Sequence, residues 1–337
     1  VKLSAVPMVE VWRGPLLESV HAGHAVVCGA DGDILAAWGD PDAVIYPRSS
    51  CKMIQALPLV ESGAAAANGL ASRHLALACA SHQGAPLHVA EVTAWLKAIG
   101  KADRDLRCGT EISRDDDLRI AMIRADEAPC QIHNNCSGKH TGFLTLTRHL
   151  GAGPEYVDPS HPVQKAVRAA HEEVTGMESP GFGIDGCSAP NFATTVHGLA
   201  RAMAAFAAAR KGQGARADAM EALRNAMAAH PELVAGEGRA CTELMRAMGK
   251  GIAIKTGAEG VFVGMLPEQR IGFALKIADG ATRASECATA ALLSALGVLD
   301  RSGAAARKRL DAPILNRAGL EVGMVRAAPG FADRAIA

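Results

Sequence analysis

The chain has 337 residues, with 35 lysines plus arginines against 35 aspartates plus glutamates. That balance leaves no electrostatic footprint for nucleic acid or an anionic membrane surface, and the length allows one large domain or two moderate ones. About half the residues are apolar and only 4% are aromatic, so a core of closely packed, alanine-rich helices is expected rather than a large aromatic groove. Nine cysteines, an odd number, are scattered through apolar segments and read as buried reduced thiols. No apolar run reaches the ~18 residues of a membrane helix. The N-terminal stretch Val1–Ala5 lacks the apolar core of a signal peptide, and a cytoplasmic protein is expected.

In chain order, residues 9–19 lead into two strand-like runs, His24–Cys28 and Ile34–Trp38, around a Gly/Asp turn that predicts an antiparallel hairpin. Tyr46-Pro47-Arg48 reads as extended before proline. A helix opening at Ser49 is predicted to run to Ser62, with Pro58 inside it and Gly63 as its stop. From residue 64 to about 249 the pattern is mainly helical, with segments at His88–Ile99, Asp115–Arg124, Lys139–Leu150, Pro162–Thr175, Asn191–Arg210 and Ala217–Ala229. Strands return at Ile252–Lys255, Val261–Leu266, Arg270–Ile277 and Leu320–Val325, with a long apolar helix over Ala281–Leu299. Strands at both ends and helices between them predict an α+β fold. An antiparallel sheet built from both chain ends (1–63 and 250–337) is flanked by helices, with a helical region (64–249) inserted into a single domain.

Four constellations could carry chemistry. Ser49 and Lys52 stand three apart in Arg48-Ser49-Ser50-Cys51-Lys52, a spacing that puts a hydroxyl and an amine on one helical face. A partly desolvated lysine can then serve a serine nucleophile as its base. Lys255-Thr256-Gly257 follows a late strand. An early S-x-x-K and a late K-T-G occur in that order in penicillin-recognising enzymes, but the intervening Ser81-His82-Gln83-Gly84 is not their S-D-N. The run from His133 to His140 gathers many ligating groups, among them Cys136, Lys139 and His140, and Asp185-Gly186-Cys187 could add more from afar. A hydrogen-bonded loop at a helix start is the plainer reading of the same run.

Taken together, Arg48–Leu59, Ser81–Gly84, His133–Phe143, Asp185–Cys187 and Lys255–Val261 resemble the L-asparaginase II family of the Rhizobium etli type, the thermolabile class. The resemblance spans nearly the whole chain and implies a fold similar to serine β-lactamases and glutaminases. It implies hydrolysis of L-asparagine to L-aspartate and ammonia, two Ser–Lys tandems (Ser49 with Lys52, Ser81 with Lys255), and zinc held by Cys136, Lys139 and Cys187. It also hints at a homodimer. Substrate contacts are expected from Arg48, which can grip a carboxylate with two hydrogen bonds, and from Asp185 and His140. Ser49 is the preferred nucleophile because it shares a segment with its base, with Ser81 as the alternative. Rival readings are a β-lactamase or D,D-peptidase, a glutaminase, and a zinc-binding protein without catalysis.

Overall fold

The computed structural model describes residues 4–333; the first three residues of the stretch read for a targeting signal lie outside them. Two compact units divide the chain. One comprises residues up to Ser50, Thr194–Ala208 and the chain from Glu243 onward; the other comprises Cys51–Ala193 and Ala209–Thr242.

The first unit is built on an antiparallel sheet of eight strands. Its order runs Ala312–Leu315, Glu321–Ala327, Val6–Arg13, Leu16–Cys28, Ile271–Ile277, Val261–Leu266, Ala253–Thr256, and Ile34–Trp38 also pairs with Leu16–Cys28. Both chain ends therefore meet in the sheet, as the sequence predicts: Trp12 lies opposite Met324, and Cys28 opposite Gly272. The Val261–Leu266 strand is buried at every position, because helices cover both faces there. Thr282–Ala295 packs on strands from both ends of the chain, and Val196–Ala208 on the central three.

That second helix is a correction to the sequence reading, which runs a helix from Asn191 to Arg210. The chain instead forms short strands at Pro190–Phe192 and Thr194–Thr195, and the helix starts only at Val196. The residues that break it, Asn191-Phe192-Ala193-Thr194-Thr195, include an aromatic and two β-branched side chains that favour strand, and the alanine-rich run begins only after them. The helix sits on the sheet because Gly272 lets it: a Cβ there would lie 2.0 Å from Ala204 N. The sequence reading also has no strand at Ala312–Leu315, an edge strand carrying Pro313.

The second unit is helical. Its main helices are Ser72–Ala78, Pro86–Ala98, Ser137–His149, Pro162–Thr175 and Ala215–Ala229. Local signals explain their ends. His161 accepts the Val163 N–H at 3.1 Å, Pro162 occupies the first turn, and Gly176 closes the helix in the left-handed region. The helix predicted from Ser49 to Ser62 is broken into a 3-10 turn at Arg48–Cys51 and two short α-helices, Lys52–Gln55 and Leu57–Glu61. Pro58 lies in the first turn of the last piece, where its missing N–H costs nothing. Among the described residues no helix is long and apolar enough to cross a membrane.

Candidate active site

Lys52 is the centre of the helical unit's polar cluster. Only 1% of it is exposed. Its Nζ donates to Ala80 O at 2.5 Å, Ser81 Oγ at 2.9 Å and Cys136 Sγ at 3.1 Å. The two latter groups come from segments 29 and 84 residues away. Gly138 brings them within reach of one amine. A Cβ at Gly138 would stand 2.5 Å from Leu77 O, so the Ser137–His149 helix can approach the Ser72–Ala78 helix only without a side chain. Ser81 follows that second helix directly, and Cys136 precedes the first. One turn on, Gly142 faces ordinary contacts instead, with Leu59 Cδ2 at 3.4 Å from the same hypothetical atom.

A second buried lysine stands beside the first group. Lys139 Nζ donates to Cys187 Sγ at 3.0 Å. The thiol of Cys136 hydrogen-bonds Cys187 and drives its pKa well below the ordinary thiol value; burial opposes this and the Lys139 charge assists it. Cys136 is pushed the other way by the same bond and by burial, and keeps its one proton, for which Asn135 Oδ1 at 2.8 Å and the Cys187 sulfur are alternative acceptors. Burial opposes the charge of Lys139, but Cys187 and Cys136 outweigh it and hold the amine protonated. The pair is thus a thiolate–ammonium pair flanked by a thiol.

His140 lies beneath this pair, fully buried. Burial, followed by the neighbouring Lys139 charge, lowers its pKa to about 4. Its Nδ1 is 2.9 Å from Tyr156 Oη, which also accepts the Arg107 N–H at 2.7 Å. Its Nε2 is buried beside Cys187 and makes no hydrogen bond of good geometry. Asp185 is half-buried; its Oδ1 accepts the Gly186 N–H at 2.7 Å. Ser188, next to Cys187, has φ +68°, a conformation that costs a non-glycine residue ~1–3 kcal/mol and recurs at functional sites.

The donor set suits a soft divalent ion. Two buried sulfurs, one drawn toward the thiolate, lie in the cluster, and the amine of Lys139 stands 3.0 Å from Cys187 Sγ. Among the described residues no three His, Cys, Asp or Glu side chains gather as a metal-binding group, so a metal here would rest on the mixed sulfur–amine set. Binding would release the Lys139 proton, because only a neutral amine coordinates.

The remaining predicted residues belong to the sheet unit. Arg48 has φ +53°, a left-handed backbone immediately before Ser49. Ser49 is half-buried, and Ser50 Oγ donates to Pro47 O at 2.6 Å. Lys255 is 1% exposed, and its Nζ donates to Thr256 O at 2.7 Å. Gly257 runs close under the Ser49 turn, where a Cβ would lie 2.7 Å from Pro47 O. The Lys-Thr-Gly segment and the Arg-Ser-Ser segment are therefore neighbours. The sequence reading does not single out Tyr156, although a loop tyrosine in a chain with only two was a signal.

A family model matching most of the chain defines the molecule as a hydrolase acting on amides. The chain belongs to the L-asparaginase II family, whose model matches residues 9–327. A comparison with curated proteins finds no match. Solved structures with some likeness include a putative β-lactamase from Bacteroides dorei, 13% identical over 76% of this chain and 84% of that one, with a TM-score of 0.40. A crystal structure of Mglu is 14% identical over 83% and 68%, with a TM-score of 0.46. A β-lactamase from Mycobacterium bovis is 12% identical over 78% and 89%, with a TM-score of 0.33.

Proposed function

We propose that the enzyme is an L-asparagine amidohydrolase of the Rhizobium etli type, releasing ammonia and L-aspartate through a serine ester. The observation that carries the reading is Lys52, a buried amine with Ser81 Oγ at 2.9 Å. As an ammonium it has three N–H groups for its three acceptors, Ala80 O, Ser81 Oγ and Cys136 Sγ. As a neutral amine it keeps two N–H groups for Ala80 O and Cys136 Sγ, and its lone pair accepts the Ser81 hydroxyl proton. Both protonation states are satisfied by the same neighbours, which suits a group that must take and return a proton.

In this reading neutral Lys52 takes the proton of Ser49, three residues before it, and Ser49 Oγ attacks the side-chain amide carbon of asparagine. The C–N bond breaks, and the departing nitrogen receives the proton from Lys52 by way of Ser81. Water then attacks the ester carbon, its proton going to Lys52, and as the C–O bond to Ser49 breaks Lys52 returns that proton to Ser49 Oγ, releasing L-aspartate and restoring both groups. Lys255 orients the serines, Arg48 pairs with the substrate α-carboxylate, Asp185 meets the α-ammonium, and His140 supports the pocket from beneath. The oxyanion needs donors, and the Ser49 N–H is one candidate; losing one such donor typically costs ~10²–10³ in rate. Zinc held by Cys136, Lys139 and Cys187 would supply a fixed positive charge that helps place the substrate. Glutamine differs by one methylene, a discrimination of only ~1–3 kcal/mol, so slow glutamine turnover accompanies this activity. The family resemblance also supports a homodimer.

The 2.9 Å contact favours a second reading in which Ser81 itself attacks. Ammonia release from L-asparagine, measured for Ser49→Ala and Ser81→Ala, tests both, with mass spectrometry of acid-quenched enzyme to find the acylated serine. Acyl label on Ser49 and loss of turnover in Ser49→Ala support the first reading. Label on Ser81 supports the second, and wild-type turnover in both variants removes serine catalysis altogether.

A further inference from the structure

The Ser81–Gly84 segment contains a histidine to which acyl transfer assigns no task. His82 is fully buried. Its Nε2 lies 3.0 Å from Ser137 Oγ, and its Nδ1 accepts the Gly84 N–H at 3.1 Å. The one hydroxyl proton of Ser137 goes to Ile132 O at 2.8 Å. The Ser137 oxygen can therefore only accept from the ring, which places the ring proton on Nε2 and leaves Nδ1 bare. Every polar atom of the imidazole is accounted for by one neutral tautomer.

The surroundings hold the same state. The ring stacks on His88 with centroids 4.7 Å apart and planes 12° apart. His88 is also committed, accepting the Ala85 N–H at 3.1 Å through Nδ1, with Nε2 2.9 Å from Glu232 O. Burial, then the charges of His88 and Lys52, keep His82 far below the usual histidine range. A general base needs a free nitrogen facing the reacting group, and this ring has none.

The backbone adds a second tie. His82 N donates to Asn135 O at 3.2 Å, while the flanking Ser81 N and Gln83 N donate to Val234 O and Ala235 O. One residue thus joins the chain beside Ser81 to both sides of Cys136: to Asn135 through its backbone and to Ser137 through its ring. Ser137 is the first residue of the helix that carries Lys139.

We propose that His82 is a positioning residue for amide hydrolysis, its Nε2–H···Ser137 Oγ bond pinning the Ser81 segment to the start of the Ser137–His149 helix so that Ser81 Oγ and Cys136 Sγ stay joint acceptors of Lys52. This inference rests on the Ser–Lys reading above. Catalysis is sensitive to placement: a shift of about 1 Å can cost ~10²-fold in rate. Without the ring bond Ser81 keeps its backbone N–H bond to Val234 O, but its hydroxyl loses its register against Cys136. Turnover falls for that reason, while apparent substrate affinity changes little.

Ammonia release from L-asparagine by the full chain is the assay, with thermal melts alongside. The variants are Ser81→Ala, His82→Phe, His82→Gln, Ser137→Ala and the double variant His82→Phe/Ser137→Ala. His82→Phe keeps the ring volume without the N–H and is expected to lower kcat about ten- to a hundred-fold with KM within about threefold. His82→Gln, whose amide can donate at the same reach, restores most of kcat. Ser137→Ala reproduces the loss, and the double variant is no worse than the poorer single one. Ring ¹⁵N NMR of folded wild-type protein gives a readout independent of turnover, and the inference requires a neutral Nε2–H ring for His82. Undiminished kcat in His82→Phe, a Gln variant as poor as Phe, additive losses in the double variant, or an Nδ1–H or charged ring overturns the positioning role. If Ser81→Ala loses turnover while His82→Phe does not, the Ser–Lys reading stands and only the positioning role fails. Wild-type protein that releases no ammonia overturns the reading itself.

Discussion

The two units bury different things. In the sheet unit the central strands are apolar at nearly every position, and among the described residues its buried lysine and arginine are Lys255 and Arg309, the latter paired with Glu243 at 2.6 Å. In the helical unit the described interior holds Lys52, Lys139, Ser81, Ser137 and six histidines, His82, His88, His133, His140, His161 and His171. Buried polar groups are tolerated when each finds a partner, and one left alone costs ~1–3 kcal/mol. The helical unit meets that condition for much of its polar interior by local means, loops such as 81–84 and 134–137 donating and accepting across one another, while His140 Nε2 and His171 Nε2 are buried and make no hydrogen bond of good geometry. One unit is stabilised mainly by excluding water from hydrocarbon. The other keeps a set of reactive groups dry and aimed, and its stability depends on protonation state.

The largest test of this contrast is Lys52→Met. It keeps the length of the side chain and removes its base; general acid–base groups are typically worth ~10²–10⁴, so ammonia release is expected to fall by about 10³-fold. A drop of less than tenfold would mean that the chemistry lies elsewhere. In the sheet unit, Leu275→Ala empties a fully buried site and should cost ~2–5 kcal/mol in urea unfolding, with kcat per folded molecule unchanged. Loss of kcat without loss of stability in that variant would blur the division.

Acid separates the units again. Burial, only partly offset by a backbone bond at Ala193, lowers the His171 pKa from 6.5 to about 4. Above pH 6.5 the ring is neutral in both folded and unfolded chains and makes no difference. Below it the unfolded chain binds a proton that the folded chain refuses until about pH 4. Stability is therefore present above 6.5 and is lost as pH falls through that window, by up to ~1.4 kcal/mol per pH unit for each such histidine. His171→Gln should flatten the slope between pH 6.5 and 4.5; identical slopes for variant and wild type would remove the histidine from the account. A smaller effect is expected at the sulfur pair. Cys187→Ala should lower bound zinc, measured by mass spectrometry after dialysis, and raise KM more than it lowers kcat. Unchanged metal content in both Cys187→Ala and Cys136→Ala would dismiss the site.

Much of this was readable from the residues. The hairpin read at His24–Cys28 and Ile34–Trp38 follows from short apolar runs around a Gly/Asp turn, and the Pro162–Thr175 helix from its proline start and glycine end. The early serine–lysine spacing and the His133–Phe143 run point to the site because their chemistry is local in the chain. The partners of Lys52 were not readable in the same way. The tandems expected from the sequence join Ser49 to Lys52 and Ser81 to Lys255; the hydrogen bond from Lys52 to Ser81 links a member of one tandem to a member of the other. That bond depends on two helices meeting at Gly138, a tertiary contact with no periodicity to announce it. Nor does spacing reveal that His82 is a fixed donor: the tautomer follows only from where the Ser137 proton goes.

The two glycines of the Ser137–His149 helix carry a lesson for anyone wishing to harden this enzyme against heat. Replacing helical glycine with alanine is a routine way to raise a melting temperature, worth ~0.4–1 kcal/mol where the methyl fits. At Gly142 it fits, and Gly142→Ala should be a silent gain. At Gly138 the same exchange would wedge a methyl group against the Leu77 carbonyl, so a recipe that is safe at one turn of the helix becomes destructive at the turn before it.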